Sequence, residues 1–399
     1  MHSNVLIIGA GSVGGVVAHK CAQQPNVFSK ICLASRNEER CRVIASHIPS
    51  HIHTAQVDAN NPQAVVDLIQ KFGPNVIINA ALPLQNLPIM EACVQEGVHY
   101  IDTSDPEADP SKFELLGSYK WQWNFHDAFR KKNSTAILSC GFDPGVVNAY
   151  CAYAQQKCLD EIHEVDIVDY NAGDHGLPFA TNFNPVVNIQ EVTSPGIYYE
   201  NGKWKETKPL SIARTFSLPE LGKREMRLMY HPELESLVKH FKRIRRIQFW
   251  MGFSKQYLIH LEVLKNIGMT SMDPINIEGN AIVPLEFLKV LLPDPATLGE
   301  RYQGKTYIGC FIKGIKDNEP KQIFIYTICD HEQAYREVKS QAVAYTTGVP
   351  AMIAAKLIVE GPWRHPGVFH VEQLDPIPFM NDLNEYGLPW KIKQEQHQA

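Results

Sequence analysis

An apolar run, Val5 to Ile8, leads straight into Gly9-Ala10-Gly11-Ser12-Val13-Gly14, and this junction constrains the fold more than any other feature. A G-x-G-x-x-G turn alone is unspecific, but this one follows a strand-like run and opens a helical stretch, the context its mechanism needs. Gly9 permits the tight turn, Gly11 lets backbone N–H groups approach a pyrophosphate, and Gly14 lets helix and strand pack closely. The free N–H groups of the helix N-terminus, Ser12 and Val13 among them, then face the anion. A glycine-rich turn without a ligand is the bland alternative.

The next residues follow the same plan. Short apolar runs at Asn4–Ile8, Ile31–Ala34, Val57, Asn75–Asn79, His99–Asp102 and Thr135–Ser139 alternate with helix-like stretches. Strands separated by single helices read as β-α-β units with right-handed crossovers, hence a parallel, doubly wound sheet of Rossmann type. Past residue 145 the texture changes. Ile162–Tyr170 alternates as a half-exposed strand does, Ile197–Thr207 holds Asn-Gly between aromatic arms, and Lys305–Ile315 and Gln322–Cys329 flank a turn. The predicted fold class is therefore α/β, with an α+β domain built on a mainly antiparallel sheet. Three segments are expected: a dinucleotide-binding domain over 1–144, an α+β domain over 145–348, and a C-terminal segment over 349–399. Helical pattern from His331 breaks at Gly348-Val349-Pro350 and resumes to Glu360, and the proline-rich tail from Pro362 reads as a wrap rather than a core.

The end of the second strand decides which nicotinamide fits. NAD readers place Asp or Glu there for the ribose 2′-hydroxyl. This chain has Ala34-Ser35-Arg36-Asn37 instead. Ser35 can donate and Arg36 can pair with a 2′-phosphate, so NADP(H) is the expected cofactor, with Arg36 as a solvated loop cation the plain alternative. Asp58 and the strand end Asn79-Ala80-Ala81 are candidate adenine and ribose neighbours.

Two further loops, Cys140–Gly145 (CGFDPG) and Asn171–Gly176 (NAGDHG), follow strand-like runs where α/β enzymes build clefts. Each also reads as ordinary turn chemistry. No second His or Cys sits near His175 at ligand spacing, so no metal is expected, and Cys140 reads as a packed thiol. A net charge of −5 gives no cause to expect a nucleic-acid partner, so the basic run Lys239 to Arg246 reads as a solvated or interface face. No apolar run reaches membrane-spanning length. Nine scattered cysteines without a C-x-x-C pair fit reduced thiols in a cytoplasm.

VLIIGAGSVGG, GFDPGVVN and NAGDHGLPFATNFNP together resemble the saccharopine dehydrogenase-like family, over essentially the whole chain. The resemblance implies a bilobal fold whose tail, 349–399, returns to the nucleotide domain and leaves 145–348 as the substrate-binding and dimerisation domain. It also implies a reaction: NADPH reduces the imine formed from L-aspartate β-semialdehyde and putrescine or 1,3-diaminopropane, giving carboxyspermidine or carboxynorspermidine. By motif, Asp143 takes the substrate amine and its proton transfer, and Ser104, beside Thr103, is a substrate contact. Asn171, Asp174, His175 and Glu191 are further substrate candidates, Asp174 and Glu191 for the distal ammonium. Around Glu191–Gly196 this chain lacks an arginine for a glutamate carboxylate, which favours a cationic co-substrate; Arg214 or Arg224 is then expected to hold the semialdehyde carboxylate. The alternatives are a saccharopine reductase using glutamate and aminoadipate semialdehyde, and a non-catalytic NADP(H) sensor. A homodimer through the middle domain's sheet is expected by fold analogy.

Overall fold

The computed structural model describes residues 3–105 and 116–395. The chain begins with β1 (Ser3–Ile8), α1 (Ser12–Ala22), β2 (Phe28–Ser35), α2 (Glu38–Ser46), β3 (His53–Gln56), α3 (Pro62–Phe72), β4 (Val76–Asn79), α4 (Asn86–Glu96) and β5 (His99–Asp102). After α5 (Lys120–Trp123) and α6 (His126–Lys131) comes β6 (Thr135–Leu138). The third strand ends one residue before Val57. These strands pair in parallel in the order β3-β2-β1-β4-β5-β6, the doubly wound arrangement predicted from the alternation. All six residues of β4 and β5 between Val76 and Ile78 and between Tyr100 and Asp102 are buried, as a sheet covered on both faces requires.

The second lobe follows: α7 (Val146–Lys157), β7 (Glu161–Asn171), α8 (Pro185–Thr193), β8 (Gly196–Glu200), β9 (Lys203–Thr207), β10 (Ala213–Leu218) and β11 (Gly222–Met229). It continues through α9 (Glu233–His240), β12 (Arg246–Gly252), α10 (Lys255–Asn266), β13 (Ile275–Ile277), β14 (Asn280–Ile282), α11 (Pro284–Leu291), β15 (Lys305–Lys316) and β16 (Glu319–Asp330). The sheet runs β10-β11-β12-β7-β15-β16, antiparallel except for β12 beside β7. The Asn-Gly hairpin closes β8 on β9, with Asn201 and Gly202 both at positive φ, as a tight two-residue turn demands.

The tail departs from its expected form. α12 (His331–Val338) is followed by α13 (Ala342–Glu360), then β17 (Gly367–His370), α14 (Pro376–Glu385) and β18 (Trp390–Glu395). α13 runs unbroken through Pro350 and across the expected boundary at 348/349. Proline costs a helix one hydrogen bond, and here burial of nearly every neighbouring side chain outweighs that loss. Gly348 sits so close to α1 that a Cβ would stand 2.7 Å from Val16 Cγ1. By length and composition α13 is apolar enough to cross a membrane, but 83% of it is buried inside the fold, as in a core helix. β17 extends the parallel sheet beside β6, and β18 extends the second sheet beside β16. The tail is thus core as well as wrap: Trp363 and Phe379 are fully buried and stacked 4.8 Å apart. Each such buried apolar side chain contributes about 1.5–3 kcal/mol. Residues 396–399 lie outside the described residues.

Candidate active site

A cleft of about 1310 Å³ is lined from both lobes, more than the volume of an ordinary small-molecule pocket. At one end stand Gly9, Gly11, Ser12 and Val13, the strand end Ser35-Arg36, Asp58, and Ala80-Ala81. α1 begins there with no side chain accepting from its first N–H groups and no acidic residue in its first turn. By contrast, Asn61 caps α3, its Oδ1 accepting from the Gln63 and Ala64 N–H groups. The open N-terminus of α1 leaves donors for an anion.

The three motif glycines separate by role. A Cβ on Gly9 would stand 2.4 Å from the Ala80 carbonyl oxygen, and one on Gly14 only 1.8 Å from the Gly9 oxygen. A Cβ on Gly11 would meet nothing within 4 Å. Gly9 and Gly14 therefore serve strand–helix contact, while Gly11 keeps the backbone bare toward the cleft. Gly14 and Asn79 do not line the cleft. Asn79 is buried; its amide donates to Asn86 Oδ1 (2.8 Å) and its Oδ1 accepts from the Ala81 N–H (3.0 Å). It shapes the Ala80-Ala81 loop rather than touching a ribose.

Among the described residues the Arg36 guanidinium has no hydrogen-bond or ion-pair partner. Ser35 Oγ donates to the Asn37 carbonyl at 2.8 Å. The nearby carboxylates of Glu38 and Glu39 are each 3.1 Å from Arg42 and away from the cleft. No carboxylate is paired with Arg36, which leaves it open to a 2′-phosphate, and these residues fit NADP(H).

At the other end Ser104, Asp143, Asp169, Glu191 and His231 line the floor. Asp143 sits on a closed turn in which Gly141 N–H donates to the Pro144 oxygen (2.9 Å) and Val146 N–H to the Gly141 oxygen (3.1 Å). Gly145, at φ +131°, would place a Cβ 2.2 Å from that Gly141 oxygen, so only glycine closes the turn. His231 stacks on Phe249 at 4.2 Å, with Nε2 3.3 Å from Glu191 Oε1 and Nδ1 bonded to the fully buried Glu233. Asp143 Oδ2, Glu191 Oε1 and Glu233 Oε1 are buried without a directed hydrogen bond; the His231 contact of Glu191 is an ion-pair approach only.

Burial, then the neighbouring Asp169, holds the Asp143 carboxyl well above the usual carboxylate range. Burial likewise lifts Asp169 to about 7, with His231 opposing and Glu191 and Glu233 adding. Burial pulls His231 down, but Glu233 and Glu191 outweigh it and keep the imidazolium charged well above the ordinary range. Titratable groups with such opposed environments in a cleft mark acid–base chemistry.

Not every expected residue reaches this cleft. Asn171, Asp174 and His175 do not line it. Asn171 donates to Tyr302 OH (2.7 Å) and its Oδ1 faces His331 Nε2 (3.0 Å). Asp174 Oδ1 accepts from Gly176 N–H, and His175 Nδ1 from Leu177 N–H. The loop is a structural turn locked on Tyr302 and His331. Arg214 is also elsewhere: it pairs with Asp166 at 3.1 Å, on the opposite face of β7 from Asp169, and Arg224 lies over Tyr170. Cys140 is fully buried, its thiol pushed up by burial. Within the basic run, Arg246 is committed to Asp166 and Glu164.

Sequence reading missed Asp169 and His231. Asp169 had a signal, since it follows Val165 and Ile167 in the inward register of β7, where an apolar residue is due. His231, just past β11, had none.

Residues 5–137 match the saccharopine dehydrogenase NADP binding domain, and residues 141–388 match the saccharopine dehydrogenase C-terminal domain. The chain belongs to the saccharopine dehydrogenase family. It is an oxidoreductase, and its cofactor is NADP(H). Among curated relatives in the family, the carboxyaminopropylagmatine dehydrogenase of Synechocystis sp. is 50% identical, covering 97% of each chain. The carboxynorspermidine synthase of Vibrio cholerae is 42% identical, covering 98% of this chain and 97% of its own. Among solved structures, apo saccharopine dehydrogenase (L-Glu forming) from Saccharomyces cerevisiae aligns with a TM-score of 0.75 at 14% identity, covering 99% of this chain and all of its own. That likeness establishes the shared fold.

Proposed function

We propose that the enzyme joins L-aspartate β-semialdehyde to a cationic amine and reduces the resulting imine with NADPH, yielding a carboxylated polyamine precursor. The observation that carries this reading is the floor of the cleft. Asp143, Asp169 and Glu191 line it with Glu233 behind His231, and among the described residues no arginine or lysine does. Of the cleft's other cations, Arg36 and Arg40 lie at the cofactor end, and Lys289, on α11, is paired with Glu286. Even with Asp143 in its acid form, the carboxyl groups of Asp169, Glu191 and Glu233 outnumber the one His231 imidazolium, so the floor attracts an ammonium or guanidinium and disfavours glutamate. Relatives named for carboxyaminopropylagmatine and carboxynorspermidine support the same class, since each name describes a carboxylated amine product. The amine is then agmatine or a short diamine such as putrescine or 1,3-diaminopropane.

The incoming amine must lose a proton before it attacks the aldehyde carbon. Asp169, titrating near neutrality, accepts that proton, and C–N bond formation gives the carbinolamine. Asp143, held in its acid form, donates a proton to the carbinolamine oxygen so that water leaves and the imine forms. Glu191, with Glu233 and His231 behind it, holds the distal cation. Bound NADPH supplies the hydride that reduces the imine carbon. Ser104 provides a hydroxyl donor along the cleft, whereas the Thr347 hydroxyl donates to the Val343 carbonyl.

The reading places the enzyme in the cytoplasm, which its nine unpaired cysteines support. It also includes a homodimer, seated on α10 and α11 rather than on the middle domain's sheet: Ile259, Val263, Ile267, Phe287 and Leu291 expose apolar surface on and beside these helices, which a second copy would cover. Mass spectrometry after incubation with amine, semialdehyde and 4-deuterated NADPH tests the chemistry. The expected product is the secondary amine with one deuterium on its new methylene. Recovery of semialdehyde reduced to its alcohol, with the amine untouched, would overturn the proposal.

A further inference from the structure

We infer that Arg40 is a second ligand for the cofactor's 2′-phosphate, held in reserve by Asp294 of the other lobe. Arg40 stands in the first turn of α2, directly after the Ser35-Arg36-Asn37 strand end, and lines the same end of the cleft as Arg36. Its guanidinium is ion-paired with Asp294, which lies just beyond α11 and also lines the cleft. The pair therefore ties the nucleotide lobe to the second lobe across the mouth of the cofactor end.

The chemistry favours exchange. Arg40 and Asp294 are about half exposed, 51% and 45%, and an ion pair so open to water is weak. A phosphate ester offers a larger charge and three acceptor oxygens, which guanidinium groups clasp in bidentate fashion. Glu38 and Glu39, the other carboxylates on α2, are engaged with Arg42 and leave Arg40 free to turn. Lys289, the remaining lysine or arginine of the cleft, is paired with Glu286 at 3.1 Å. Once NADPH is seated, Arg40 trades the Asp294 carboxylate for the phosphate and releases the second lobe's loop. NADH, lacking the phosphate, leaves the cross-cleft pair in place. Because Asp294 and the phosphate compete for one guanidinium, the loop contact and NADPH binding oppose each other reciprocally.

Fluorescence titration with NADPH and NADH separates this from a passive surface pair. Arg40→Met is expected to raise the NADPH Kd by about tenfold or more while leaving NADH within about twofold. Asp294→Asn keeps the side-chain cap on the Ala296 N–H. It is expected to lower the NADPH Kd several-fold and to have no effect once Arg40 is Met. Equal losses for both nucleotides in Arg40→Met, no loss in either, or unchanged NADPH affinity in Asp294→Asn would each overturn the assignment. Arg36→Met is the companion measurement. If it alone removes discrimination, Arg40 is not a ligand; if neither variant does, the phosphate binds elsewhere and the Arg36 reading falls too.

Discussion

In the proposed reaction Asp169 and Asp143 divide the proton work because their surroundings differ in degree. Asp169 titrates near 7, so below that pH it is neutral and offers an ammonium no counter-charge; above it the carboxylate is present. The kcat/KM for the amine should therefore rise from pH 6 to 8, and Asp169→Asn should erase that limb. The rise from the amine's own deprotonation, nearer 10, remains. Asp143→Asn should lower kcat by about 10²–10⁴-fold with NADPH binding intact, as loss of a proton donor predicts. A loss of NADPH binding instead would mean that the turn had collapsed. Asp143 was legible because its turn is a motif, and Asp169 was legible in principle from strand register. Asn171, Asp174 and His175 looked like a site because short polar residues serve structural turns and catalytic loops alike. Only the Asn171 partners Tyr302 and His331, 131 and 160 residues away in sequence, tell the two apart.

At the scale of elements, the β1–α1 junction separates fold from function within one motif. Gly11 has φ −94° and open space beyond it, so Gly11→Ala should keep the wild-type Tm and weaken NADPH binding. Gly14→Ala drives a Cβ into the Gly9 carbonyl and should cost about 1–3 kcal/mol as well as cofactor affinity. Thermal melts beside NADPH titrations check both; equal melting losses in the two variants would contradict the division. The nucleotide lobe was readable because period, glycines and strand ends are local signals. α13 was not, because Pro350 is a local helix breaker whose cost is overruled by packing on α1 that no window of sequence displays. The tail misled likewise: its prolines sit at the starts of short elements, as Pro376 does in α14, while its aromatics fill the core.

Over the whole molecule, the two sheets are stitched by one tail, β17 joining the first and β18 the second. A continuous apolar core runs from the inner face of the parallel sheet through α13 and α7 to the inner face of β7, β12 and β15. The cleft is the seam these elements leave open, which explains why both lobes line it. The apolar stripe on α10 and α11 belongs to this scale. Val263→Glu with Ile267→Glu should shift the protein from dimer to monomer in sedimentation velocity, and a monomeric wild type would remove the homodimer from the account. The central claim is that a carboxylate floor selects a cationic amine. The most direct test follows NADPH absorbance with aspartate β-semialdehyde present, adding agmatine, putrescine, 1,3-diaminopropane or glutamate in turn. Oxidation that depends on a cationic amine, with none from glutamate, is expected; oxidation with glutamate alone, or silence with every amine despite NADPH binding, would overturn the proposed function.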